Sequence, residues 1–148
     1  MTINEFLRKY RKQRNGIQVV RPRVKCEDGY TVSVQAGEMW YSEPRLDTGW
    51  YGKAELGYPT AVDEELQDYA ENKRDLRGTV YGFVPVKLVD EVLTKHGGIV
   101  GADFSNDGAG FWEDETRQHL FAALRAVELT EQIGAMFGED KEIREENT

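Results

Sequence analysis

The chain has 148 residues and a formal net charge of −8, with 39% hydrophobic, 11% aromatic and 31% charged residues. One domain of roughly 100–150 residues accounts for that length, and the aromatic content excludes a wholly disordered chain. No apolar run approaches the roughly 18 residues of a membrane span, and the charged start (Glu5, Arg8, Lys9, Arg11, Lys12) lacks the apolar stretch of a secretory signal.

Thr2 and Glu5 have the spacing of a capping box. Ile3, Phe6, Leu7 and Tyr10 follow at helical intervals, so a helix is predicted up to a stop at Asn15-Gly16. Its exposed face is Arg8, Lys9, Arg11 and Lys12, and cations suit the negative end of a helix dipole. Residues 17–25 are β-rich, but Pro22 restricts them to an edge strand or two short strands. Asp28-Gly29 is a hairpin signal, and residues 30–36 alternate with Tyr30, Val32, Val34 and Ala36 on one face. Met39-Trp40-Tyr41 extends the apolar character past Gly37. Residues 44–48 read as a loop and 50–58 as a strand centred on Ala54-Glu55-Leu56.

Thr60 and Asp63 frame a helix start near Val62, with Leu66, Tyr69 and Ala70 as its apolar stripe. Residues 79–84 read as a strand. Pro85 suits the first turn of the next helix, because its missing N–H costs nothing there. Leu88, Val89, Val92 and Leu93 form that helix's inner face, and Gly97 or Gly98 supplies a left-handed C-cap. Residues 99–102 fit another strand, 103–110 a loop and 113–137 a long helix. Within that helix Leu120, Phe121, Leu124 and Val127 lie on one side, and Leu129, Ile133, Met136 and Phe137 nearly opposite. The second stripe implies a homo-oligomer interface, unless a break near Glu128 realigns the halves. The expected fold class is α+β: an antiparallel sheet of about four to six strands with an N-terminal helix, two short helices and a long C-terminal helix. Residues 1–138 form a single domain and 139–148 a charged, disordered tail.

Charge is unevenly spread. Residues 1–25 carry a local net charge of +7 and residues 26–148 one of −15. So acidic a body argues against direct nucleic-acid binding, which depends on phosphate neutralisation. The basic arm is either a solvated helix face or a contact for an anion or an acidic neighbour. The single cysteine, Cys26, cannot form an internal disulfide, which implies a reducing cytosol.

Residues for bond-making chemistry are scarce. The chain has neither a G-x-S-x-G elbow nor a phosphate-binding P-loop. His96 precedes the Gly97-Gly98 cap, where an imidazolium is favoured by the helix dipole. His119 reads as a surface or subunit-contact residue. Glu27 and Asp28 raise the thiol pKa of Cys26. Two histidines and one cysteine cannot build an ordinary zinc site, so no metal and no cofactor are expected. Residues 103–114 partly match an EF-hand loop, with Asp103, Ser105, Asp107 and Gly108 in place, but Gly110 and Asp114 depart from it. A helix-capping turn is the expectation.

The most suggestive group is aromatic and cationic. Arg21 and Arg23 alternate, Trp40, Tyr41, Arg45, Trp50 and Tyr51 cluster in sequence, and Tyr81 and Phe83 alternate on a later strand. Guanidinium groups fork onto phosphates and aromatic faces stack on bases. The candidate ligand-binding set is therefore Arg21, Arg23, Trp40, Tyr41, Arg45, Tyr81 and Phe83, for a small phosphorylated nucleotide. The alternative is that the aromatics are core and the arginines pair with carboxylates.

Two segments, DGYTVSVQAGEMWYSEPR (28–45) and VYGFVPVKLVDEVLTKHGGI (80–99), together with LGYP (56–59), resemble small proteins encoded by phages and prophages of gut bacteria. The resemblance spans roughly residues 1–100. Within that group it points to the Thoeris anti-defence family, whose members sequester cyclic ADP-ribose signals in oligomeric pockets. It implies a non-enzymatic sponge acting in the cytoplasm of an infected bacterial host, without membrane attachment. It carries no binding residues across to this chain. Two other functions remain open: an acidic protein-binding inhibitor such as an anti-CRISPR protein, and a signal-degrading enzyme with a metal at Asp103 and Asp107.

Overall fold

The computed structural model describes residues 1–15, 18–47 and 49–104. The expected 113–137 helix with its Leu129, Ile133, Met136 and Phe137 stripe, most of the 103–114 loop, His119 and the tail lie outside the described residues.

Helix α1 (Ile3–Lys9) starts on the expected capping box: Thr2 accepts from the Glu5 N–H and Glu5 accepts from the Thr2 N–H. It ends at Tyr10, well before Asn15. Ile3, Phe6 and Leu7 are the residues it buries in the core, and nothing apolar at helical spacing follows Tyr10 to hold a further turn. Instead β1 (Arg14–Asn15) and β2 (Gln18–Val19) pair as a short antiparallel ribbon. Pro22 then interrupts the β-rich stretch, and β3 (Arg23–Cys26) begins just after it.

Strands β3, β4 (Thr31–Gln35), β5 (Lys53–Gly57) and β6 (Val80–Pro85) form an antiparallel meander. Helix α2 (Val86–Lys95) then returns the chain so that β7 (Ile99–Asp103) pairs with β3, giving the order β6-β5-β4-β3-β7. The α+β class with a five-stranded antiparallel sheet is thus as expected. No helix among the described residues is long and apolar enough to cross a membrane.

Both helices contribute to the core on one face of the sheet, through Ile3, Phe6 and Leu7 of α1 and Val89, Val92 and Leu93 of α2. They meet Val24, Cys26, Val32, Val34, Ala54, Leu56, Tyr81 and Val84 of the strands. The Asp90 carboxylate accepts from the Ile3 N–H at 2.8 Å and ties the helices together. The predicted face of Tyr30, Val32, Val34 and Ala36 is buried as expected. The other face of β4 is buried too, although polar: Ser33 and Gln35 are each 1% exposed. Gln35 satisfies itself by bonding the Arg21 backbone N–H and carbonyl and the Ser33 hydroxyl.

The segment expected to be helical from Val62 is a short 3₁₀ helix, Glu64–Tyr69. Asp63 stands at its N-cap but makes no side-chain cap bond. Its carboxylate is engaged by Lys95 and His96, so the first turn loses the support a longer helix needs. At the other end Ala70 bridges to Tyr81 as a β-pair.

Candidate functional site

The seven candidate residues fall into two groups. Arg21, Arg23, Trp40 and Tyr81 are core residues, at most 3% exposed. Arg21 donates from Nε to the Leu7 carbonyl at 2.7 Å and from Nη1 to the Ala36 carbonyl at 2.6 Å. Arg23 donates from Nη2 to the carbonyls of Thr31 and Tyr58. The Trp40 indole N–H donates to the Val19 carbonyl at 2.7 Å, and the Tyr81 hydroxyl donates to the Leu76 carbonyl. Burial pushes the Tyr81 phenol up to about 12, with the Asp63 and Asp75 charges adding to the shift. These four side chains hold backbone together, which is the alternative the sequence left open.

Tyr41, Arg45 and Phe83 do come together. The rings of Tyr41 and Phe83 lie 5.7 Å apart at 45°, and the Arg45 guanidinium sits 5.4 Å over the Tyr41 ring. They border a notch of about 300 Å³ lined by Tyr41, Tyr69, Ala70, Glu71, Gly82 and Phe83.

A β-bulge creates this notch. Along β5 the register advances two residues, Ala54 to Leu56, while β6 advances three, Val84 to Tyr81. The extra β6 residue breaks the alternation that would have placed Phe83 beside Tyr81. Val84 takes the core position, and Phe83 turns outward at φ +53°, 39% exposed. A left-handed backbone is costly for a bulky residue, and bulges commonly re-aim a side chain. Gly82 makes the close approach possible: a Cβ there would lie 3.3 Å from the Tyr41 Cβ. The Phe83 N–H donates to the Tyr41 carbonyl at 3.0 Å and fixes the two segments side by side.

A second constellation surrounds His96, the C-cap residue of α2. The following Gly97 and Gly98 both have positive φ, as the cap requires. His96 is clamped between two carboxylates, with Nδ1 2.7 Å from Asp28 Oδ2 and Nε2 2.8 Å from Asp63 Oδ1. Its ring stacks on Tyr30 at 3.7 Å, and Lys95 also reaches Asp63 Oδ1, at 2.7 Å. Burial alone would lower the His96 pKa, but the hydrogen bonds to Asp28 and Asp63 outweigh it and raise the pKa. An imidazolium bonded at both nitrogens has no lone pair with which to take a proton from a substrate.

The Tyr30 hydroxyl and Asp63 Oδ2 are both buried without a hydrogen bond of ordinary geometry. Burial, and then the neighbouring Asp63 carboxylate, raise the Tyr30 pKa far out of reach. Burial likewise pushes the Cys26 thiol up to about 11, with Asp28 and Asp63 adding to it. The sequence foresaw the direction for Cys26 but not its main cause. It held no signal for the clamp, because Asp28, Asp63 and His96 meet only through the β3–β4 turn, the loop before the 3₁₀ helix and the end of α2.

A pH-dependent stability follows. The raised His96 pKa contributes stability that is fully present below its unfolded value of about 6.5 and lost as pH rises through the folded value. Asp28 is lowered, first by accepting from the Tyr30 N–H and then from His96. For Asp63 burial works in the opposite direction, yet bonds from Lys95, Tyr30 and His96 lower it overall. Their contribution is present above the unfolded carboxylate pKa of about 4 and lost in acid. His96→Gln should therefore cost about 1–2 kcal/mol near pH 6 and progressively less in alkali. Thermal melts of both proteins across pH test this, and a constant difference across that range would refute it.

No protein-family model, curated protein or solved structure matches this chain.

Proposed function

We propose that this protein binds a cyclic nucleotide signal of the cyclic ADP-ribose type and sequesters it without turning it over, as a phage-encoded anti-defence protein in the host cytoplasm. The supporting observation is the bulge that turns Phe83 outward against Tyr41. A folded chain gains nothing in its core from placing a large aromatic ring in solvent on a strained backbone, so the arrangement suits stacking on an incoming base. Arg45, over the Tyr41 ring, brings a cation to the same segment for a phosphate. At about 300 Å³ the notch has the size of a small-molecule subsite.

Calorimetry against cyclic ADP-ribose and cyclic oligonucleotides tests the reading. Base stacking is worth about 1–3 kcal/mol, so Phe83→Ala and Tyr41→Ala should each weaken binding about tenfold. Heating the complex should release the ligand chemically unchanged. An altered ligand would make the protein an enzyme. A folded protein that gives no heat with any of these compounds would favour the acidic protein-binding inhibitor instead.

A further inference from the structure

The largest cavity among the described residues is elsewhere. It is a groove of about 690 Å³ lined by Arg8, Arg11, Pro44, Asp47, Gly49 and Trp50. None of these lines the Tyr41–Phe83 notch. We propose that this groove is a ribonucleotide site, in which Arg8 and Arg11 hold the phosphates, Trp50 stacks the base and Asp47 accepts from the ribose. The inference stands independently of the function proposed for the notch.

The cations come from the end of α1 and the turn after it. Arg8 and Arg11 are both exposed, and neither guanidinium has a carboxylate partner. In a chain whose remaining 123 residues carry a net charge of −15, two arginines without ion pairs on one groove wall stand out. Arg11 Nη1 donates to the Arg8 carbonyl at 2.8 Å, which anchors that side chain beside Arg8. The Arg8 stem lies along Gly49: a Cβ there would meet Arg8 Cγ and Cδ at 3.7 Å. The head groups are thus partly placed before any ligand arrives, which lowers the entropy lost on binding.

The opposite wall supplies the rest. Trp50 is 59% exposed, and its indole is the largest aromatic surface that the described chain presents to solvent. Such a face stacks any base. Asp47 Oδ1 accepts from the Glu38 N–H at 3.1 Å, which holds this carboxylate in place. A carboxylate repels a bare anion but accepts well from ribose hydroxyls, as in dinucleotide sites. Two guanidiniums, one carboxylate and an indole therefore select a phosphorylated nucleoside over inorganic phosphate. The volume lies within the roughly 300–1,000 Å³ of small-molecule sites.

The test is calorimetry and tryptophan fluorescence of the full chain titrated with ADP, adenosine and pyrophosphate. ADP should bind and quench, with adenosine and pyrophosphate each at least about tenfold weaker. Arg8→Gln and Arg11→Gln should each weaken ADP about five- to tenfold and reduce its salt dependence. Trp50→Leu should remove the quench and weaken binding about tenfold, and Phe83→Ala should leave ADP binding unchanged. Circular dichroism and melts matching the wild type establish that each variant is folded. Absence of ADP binding, or binding that survives Arg8→Gln with Arg11→Gln, would overturn the proposal. So would pyrophosphate binding as tightly as ADP, which marks a mere anion patch. ADP binding lost in Phe83→Ala but kept in the groove variants would also overturn it, while supporting the notch as the nucleotide site.

Discussion

Trp40→Ala is expected to lower stability by about 3–5 kcal/mol, the largest loss for any single residue described above. Trp40 is completely buried, so truncation removes a large apolar surface and leaves a cavity. It also orphans the Val19 carbonyl, which the indole N–H now satisfies and which secures β2 against the turn after β4. For a chain of this size the melting temperature should fall by about 10 °C or more. Trp40→Phe keeps most of the volume and loses only the donor, so it should cost about 1–3 kcal/mol. Urea denaturation measures both, and a loss below about 1 kcal/mol for the alanine variant would contradict the buried placement.

Arg21→Met should cost about 3 kcal/mol or more, because two charge-assisted bonds at roughly 1.5–3 kcal/mol each end on buried carbonyls. Arg21 is 1% exposed, serves Leu7 and Ala36 together, and has its guanidinium 5.9 Å from the Tyr51 ring. It thus ties α1 to the end of β4. Arg21→Lys should recover little of the loss, since an ammonium lacks the fork that reaches both carbonyls. Nucleotide affinity per folded molecule should be unaffected in either variant. A stable Arg21→Met protein with weakened ligand binding would return Arg21 to the set of contact residues.

Arg21 and Trp40 show why residue type misleads about role. Arginines and aromatics next to one another in sequence have the chemistry of a nucleotide site whether they face solvent or brace the interior. Only the path of the chain separates the two cases. Pro22 turns Arg21 inward beneath the end of α1, whereas Arg8 and Arg11, on the same basic arm, reach the groove beside Trp50. Tyr81 and Phe83 carry the same lesson within one strand. Alternation puts them on one face, and one extra residue opposite β5 sends them to opposite environments.

The sequence by itself determined the local elements and the class. The capping box, the Asp-Gly turn, the alternation of Tyr30, Val32, Val34 and Ala36, Pro85 ahead of α2 and the glycine cap behind it all act over a few residues, so their signals survive in the linear chain. Tertiary structure alone decided which strands pair, that β7 closes beside β3, where the register slips, and which arginines are buried. It also decided that Asp28, Asp63, Lys95 and His96 meet. These outcomes depend on contacts between residues tens of positions apart, whose free energy exists only once the sheet and both helices have formed.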